Sequence, residues 1–133
     1  MDKKELRKII EEQMKLNDGF VSNNNYKLVD IDENYCKLEG IITETSLNPY
    51  GIAHGGYIFG LADTAAGIAA RTKGRNAVTV SSSISYIRMA KGNKIEAIAK
   101  CLKEGKTISN FEVEVLDEDN RIIAKVLIEY YYI

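Results

Sequence analysis

The 133-residue sequence contains no tryptophan, one proline, one histidine and two cysteines, and these scarcities close off several classes of protein. Cys36 and Cys101 stand at no spacing that makes a metal motif, and the lone His54 adds no ligand pattern. Both cysteines fall in strand-like stretches, which predicts buried free thiols rather than a disulfide. An excess of one charge is also missing: 18 Lys and Arg against 19 Asp and Glu leave a net charge of −1. Such a chain has no overall field with which to gather nucleic acid. The densest basic run, Lys3-Lys4 with Arg7-Lys8, is balanced by Glu5, Glu11 and Glu12 and reads as a solvated helix face. No apolar run approaches the ~18 residues of a membrane span. The charged start through Lys8 does not resemble a secretion signal. The expectation is a soluble cytoplasmic protein with neither a nucleic-acid nor a membrane partner. With no repeat and no linker, residues 1–133 are expected to form one domain.

What is present is concentrated. The only proline and the only histidine share the stretch Asn48-Pro49-Tyr50-Gly51-Ile52-Ala53-His54-Gly55-Gly56, which leads into Tyr57-Ile58-Phe59-Gly60-Leu61-Ala62-Asp63. Asn-Pro…Gly is turn chemistry. The glycines let backbone approach a ligand, and a helix starting there leaves N–H groups unpaired. Unpaired N–H groups favour an oxygen that gains negative charge. Asp63 follows Gly55 and Gly56 by eight and seven residues, about two helical turns, and so faces the same side. Leu61, Ala62, Ala65, Ala66, Ile68, Ala69 and Ala70 leave little polar surface around it, and a helix apolar nearly all round is usually buried. A buried carboxylate is costly unless partnered or used. An oxyanion donor and a carboxylate on one helix face are the parts of an acyl-transfer or hydrolysis site. The plain alternative is a turn with a capping histidine and a solvent-facing acid.

Leu6, Ile9, Ile10 and Gln13-Met14 recur at helical spacing over residues 2–16, and Asn17-Asp18-Gly19 is a stop signal. Asn23-Asn24-Asn25 reads as a loop. Tyr26–Leu28 and Tyr35–Thr43 read as strands around an Asp32-Glu33-Asn34 turn. The long helix is expected from about Gly55 to Thr72, and strands over 77–87, 94–102, Phe111–Val115 and Arg121–Tyr132. Antiparallel strands with one central apolar helix make an α+β fold, and the helix is covered on all sides only if the sheet curls around it. Gly105-Lys106-Thr107 is not a phosphate-binding loop. Lys100 stands where that motif needs glycine, and the context is strand-turn-strand.

Asn48, Gly51, His54-Gly55-Gly56, Leu61 and Asp63 resemble the signature of hotdog-fold thioesterases of the phenylacetic-acid-pathway, PaaI-like type. Residues 77–90 also resemble the strand that follows the helix in that family. The resemblance implies a hotdog fold, a curled antiparallel sheet around one long helix with an extra N-terminal helix. It implies hydrolysis of an acyl-coenzyme A thioester without a cofactor, coenzyme A being part of the substrate. In that family's scheme the Gly55 N–H and Asn48 polarise the carbonyl, His54 supports them, Asp63 is general base or nucleophile, and Thr79 helps place water. The acid and the oxyanion donors come from different subunits, so a homodimer with shared sites, paired into a homotetramer, is implied. Arg71, Lys73, Arg75, Arg88, Lys91 and Lys106 are candidates for the coenzyme A phosphates, and Ile52, Tyr57, Phe59 and Tyr86 for an acyl pocket or for packing. Ser81, where relatives often carry an acid, and Met89, where they often carry proline, depart from the pattern and bear on substrate fit. Two other readings stay open: a non-catalytic acyl-thioester binder, which would not need Asp63, and a hydratase or dehydratase, whose motif the His-Gly-Gly context does not match.

Overall fold

Asp2 accepts the Glu5 N–H at 2.8 Å and starts helix α1, Lys3–Met14, in a computed structural model that describes residues 1–133. Leu6 and Ile10 bury its inner stripe, while Ile9, expected on that stripe, is 38% exposed. Asn17 takes a positive φ of 51° and ends the segment. A short helix α2, Gly19–Asn23, follows where no periodic pattern is long enough to announce one.

Strands β1, Tyr26–Asp32, and β2, Tyr35–Ile41, form a hairpin; β1 runs four residues beyond the expected Leu28. Helix α3, Gly55–Arg71, lies between this hairpin and strands β3, Ala77–Tyr86, β4, Lys94–Lys103, β5, Ile108–Leu116, and β6, Ile122–Tyr132. All pairings are antiparallel, in the order β1-β2-β4-β5-β6-β3. Alternation decides which residues face the helix: Ile95, Ala97 and Ala99 of β4, Phe111, Val113 and Val115 of β5, and Val126 and Ile128 of β6 are buried. Five alanines of α3 (Ala62, Ala65, Ala66, Ala69, Ala70) are fully enclosed, and such short side chains let the curled sheet come close. Both cysteine thiols are free, and burial pushes each above the usual thiol range.

The two sheet edges differ. At β1, Arg7 of α1 donates to the Leu28 and Val29 carbonyls at 3.0 and 2.9 Å, and Lys3 pairs with Asp30 at 3.1 Å. The basic run is therefore more than a solvated face, because it fastens α1 over an edge strand. At β3 nothing covers the outer edge, and Val78 and Val80 are 45% and 52% exposed.

The Gly105 segment joins two strands, its N–H donating to Ser109 Oγ at 3.0 Å, as the strand-turn-strand reading requires. The β5–β6 turn is built on Asp117, which is 3% exposed. Its carboxylate accepts from the backbone N–H groups of Lys91, Asp119 and Arg121 and from the Arg121 side chain at 2.7 Å. Burial pushes the carboxyl up; the Arg121 side chain and the backbone donors outweigh it and hold Asp117 well below the usual carboxylate range. That stabilisation is fully present above the ordinary aspartate value of about 3.9 and is lost as pH falls below it. Asp117→Asn is expected to lower stability at pH 7 by about 1–3 kcal/mol. It should also flatten the loss of stability below pH ~4 in denaturant titrations. Equal acid dependence in both proteins would place the linkage elsewhere.

Candidate functional site

Two clusters of polar groups lie along α3, one at its start and one about two turns further on. The first is built by the turn before the helix. Pro49 presets the backbone, Gly51 adopts a φ of 79° that other residues avoid, and the Gly51 N–H closes the turn on the Asn48 carbonyl at 3.0 Å. Asn48 Oδ1 accepts the N–H groups of Tyr50 and Ile52 at 2.9 and 3.3 Å. These two donors fix the amide orientation and leave Nδ2 without a partner in the chain. His54 caps the helix: Nδ1 accepts the Gly56 N–H at 2.8 Å, which makes Nε2 the protonated nitrogen of a neutral ring.

The Gly55 N–H has no hydrogen-bond partner in the chain, while the Gly55 carbonyl accepts from the Tyr86 hydroxyl at 2.8 Å. A side chain at position 55 would meet the Tyr86 ring at 3.2 Å, so the glycine leaves room for that ring beside the helix start. Gly55 and Asn48 line one cleft of about 320 Å³ with Ile52, Tyr86, Arg88 and Met89. Of the six candidate cations, Arg88 is the one in this cleft; Lys73 is tied to Glu33 and Glu104, and Arg75 stacks 4.0 Å above Tyr132. Tyr57 belongs to the core instead. Its hydroxyl lies 2.8 and 2.9 Å from the Ile41 and Asn24 carbonyls, and burial pushes it up to about 12.

The second cluster is centred on Asp63. Thr79 donates to Asp63 Oδ1 at 2.7 Å, and the Tyr130 hydroxyl reaches the same oxygen at 2.5 Å and the Asp63 carbonyl at 2.5 Å. Tyr130 was not among the sequence candidates. Its only sequence signal is inward alternation with Ile128 and Tyr132, which says nothing about which strand lies beside it. The sheet supplies that: Thr79 of β3 and Tyr130 of β6 are directly paired, and an irregularity follows between Thr79 and Ser81. Paired residues on one face bring side chains together, and a bulge beside them re-aims the strand. Burial first, and then the Asp63 charge, push the Tyr130 hydroxyl well above the usual tyrosine range, so it remains a donor.

One expectation is corrected. Asp63 is only partly buried and Thr79 is exposed, so this carboxylate is not enclosed by its own chain. It forms no ion pair, and Oδ2 accepts no hydrogen bond from the chain. Gly55 and Asp63 both face β3, through Tyr86 and Thr79, yet Asp63 does not line the Asn48–Gly55 cleft. One chain therefore brings Asn48, His54 and Gly55 together, and Asp63 and Thr79 together, but not the two groups with each other.

Residues 50–124 match the Thioesterase superfamily. A protein of Archaeoglobus fulgidus, provisionally named an esterase, is 31% identical over 86% of this chain and 75% of its own. The Escherichia coli acyl-coenzyme A thioesterase PaaI is 27% identical over 81% of this chain and 78% of its own. A solved structure of the E. coli PaaI protein superposes with a TM-score of 0.92 over 99% of this chain and 96% of that one, at 22% identity, a likeness of fold: the hotdog fold. A Streptococcus mutans protein solved bound to acetyl coenzyme A is 30% identical, with a TM-score of 0.78 over 82% of this chain and 89% of its own.

The capping bond makes its own prediction. His54→Ala should cost about 1 kcal/mol of stability, as lost caps do, and His54→Asn, which can still cap, should cost less. Urea unfolding of both variants measures this; equal losses would show that the imidazole does not act as the cap.

Proposed function

This chain belongs to the thioesterase superfamily, and we propose that it is an acyl-coenzyme A thioesterase whose active site is divided between two subunits. The observation that carries the reading is the set of unpaired groups: Gly55 N–H and Asn48 Nδ2 in one cleft, and Asp63 Oδ2 beside β3. A thioester carbonyl needs donors where its oxygen gains charge and a base where water is deprotonated. The unpaired N–H and NH₂ are such donors, and the carboxylate is such a base.

In the proposed reaction Asp63 takes a proton from water as the water oxygen bonds to the thioester carbon. The tetrahedral oxyanion is held by Gly55 N–H and Asn48 Nδ2. Collapse breaks the carbon–sulfur bond, and the thiolate takes the proton from Asp63. The products are coenzyme A and a carboxylic acid, which ionises to solvent. Direct attack by Asp63 on the carbonyl carbon, with water cleaving the resulting anhydride, would use the same free oxygen. No cofactor enters either route. Thr79 keeps lone pairs with which to accept a bond from the water while it donates to Asp63. His54 acts on the oxyanion side by fixing the helix start, and Arg88 is the cation placed to meet a coenzyme A phosphate.

The division between subunits rests on distance and on the open edge. About 12 Å of helix separates Gly55 from Asp63, too far for one carbonyl to meet both. The ten-residue β3 has an unpaired outer edge and exposed valines on which a second copy can pair, covering Asp63 and Thr79. On the sheet's outer face Leu102 and Leu127 are 56% and 53% exposed, which supports pairing of two dimers into a tetramer.

A panel of acyl-coenzyme A substrates read with a thiol-trapping dye tests the activity. On the best substrate, Asp63→Asn should lower kcat by about a hundredfold or more with the fold intact. Asn48→Ala should lower it by about a hundredfold. Near-wild-type turnover by Asp63→Asn would refute the assigned chemistry.

A further inference from the structure

The Asp63 carboxylate accepts from two hydrogen-bond donors, and both serve the same oxygen. A carboxylate with donors shared between its oxygens is simply solvated by protein. Here Oδ1 takes Thr79 at 2.7 Å and Tyr130 at 2.5 Å, and Oδ2 takes nothing from the chain. We infer that Tyr130 is a positioning residue for Asp63: with Thr79 it pins Oδ1 against the sheet and turns Oδ2 outward as the oxygen that reacts.

Three further observations support this. The two hydroxyls come from one directly paired rung of the sheet, Thr79 on β3 and Tyr130 on β6, so their spacing is set by backbone bonds rather than by flexible side chains. The Tyr130 ring is itself fixed: it is 3% exposed and packs edge-on against Phe111, with centroids 6.1 Å apart. On the helix side, Gly67 stands one turn beyond Asp63. A side chain there would come within 3.1 Å of the Tyr130 hydroxyl, so the helix keeps a gap where that hydroxyl lies.

The single Tyr130 hydroxyl proton lies between two acceptors of Asp63, the backbone carbonyl and Oδ1, each at 2.5 Å, so one hydroxyl ties the side chain to its own backbone. Facing the cluster, Arg71 of α3 adds a positive charge felt by the Tyr130 hydroxyl, while no Lys or Arg pairs with Asp63 itself. The two hydroxyls are then the side-chain groups that hold the carboxylate in place, and hydrogen bonds to a charged acceptor are the strong ones.

The inference rests on Asp63 acting on the thioester, and the test separates the two claims. kcat and KM are measured for wild type, Tyr130→Phe, Thr79→Val and Asp63→Asn, with unfolding curves for each. Tyr130→Phe keeps the ring and removes only the donor. It should lower kcat by about tenfold, because a carboxylate that is no longer pinned loses part of its alignment with the reacting water. KM should stay within about twofold, since uniform substrate binding is not touched. Thr79→Val should lower kcat in the same way, and it carries the test if Tyr130→Phe does not fold. An inactive Asp63→Asn together with an unchanged kcat in both donor variants would overturn the positioning role while leaving Asp63 as the base. An active Asp63→Asn would overturn both.

Discussion

Asp63 stands on a largely apolar helix, and the side-chain donors that meet its carboxylate come from a single rung of the sheet. Thr79 and Tyr130 are paired across β3 and β6, and both reach Asp63 Oδ1. The alanines of α3 let the sheet close on the helix, the alternation in β6 turns Tyr130 inward with Ile128 and Tyr132, and the register of β3 on β6 shifts just after Thr79. A slip of one residue in β6 would turn Tyr130 out and strand the charge.

The same helix serves a second purpose at its start. Its N-terminus, capped by His54, leaves the Gly55 N–H unpaired beside the free amide of Asn48, and Tyr86 of β3 holds the Gly55 carbonyl. The two groups sit on one helix, and side chains of β3 bond to both. They are also too far apart to act on one carbonyl, about two helical turns. In the proposed dimer a complete site would arise by symmetry, each copy supplying the acid for its partner's oxyanion donors. The uneven edges of the sheet agree with that reading. Arg7 and Lys3 close β1 with their own chain, while β3 is left bare beside Asp63.

Much of this was legible in the sequence, for reasons specific to each element. The alternation Ile95, Ala97, Ala99 and the apolar run after Gly55 are strong periodic signals, and the strands and helix fall where they predict. Turn chemistry located Asn48–Gly51 and the corner at Asp32-Glu33-Asn34. The residues that escaped depend on long-range geometry. Tyr130 sits in the triplet Tyr130-Tyr131-Tyr132, where local pattern gives its face but not its neighbour, and only the β3–β6 register brings it to Asp63. Arg7 looked like one charge among many because its acceptors, the Leu28 and Val29 carbonyls, lie more than twenty residues away. The helix Gly19–Asn23 is too short to show a period. The half-exposed state of Asp63 could not be read from an apolar helix, since it depends on which strand ends the sheet.

The division of the site between two copies is the central claim, and complementation tests it most directly. Asp63→Asn and Asn48→Ala proteins, each inactive alone, are mixed in equal amounts and allowed to exchange subunits. A mixed dimer then carries one site with both lesions and one with neither, so activity should recover to about a quarter of wild type at random exchange. No recovery, with exchange proven by mass spectrometry of differently labelled subunits, would place the whole site in one chain and contradict the account.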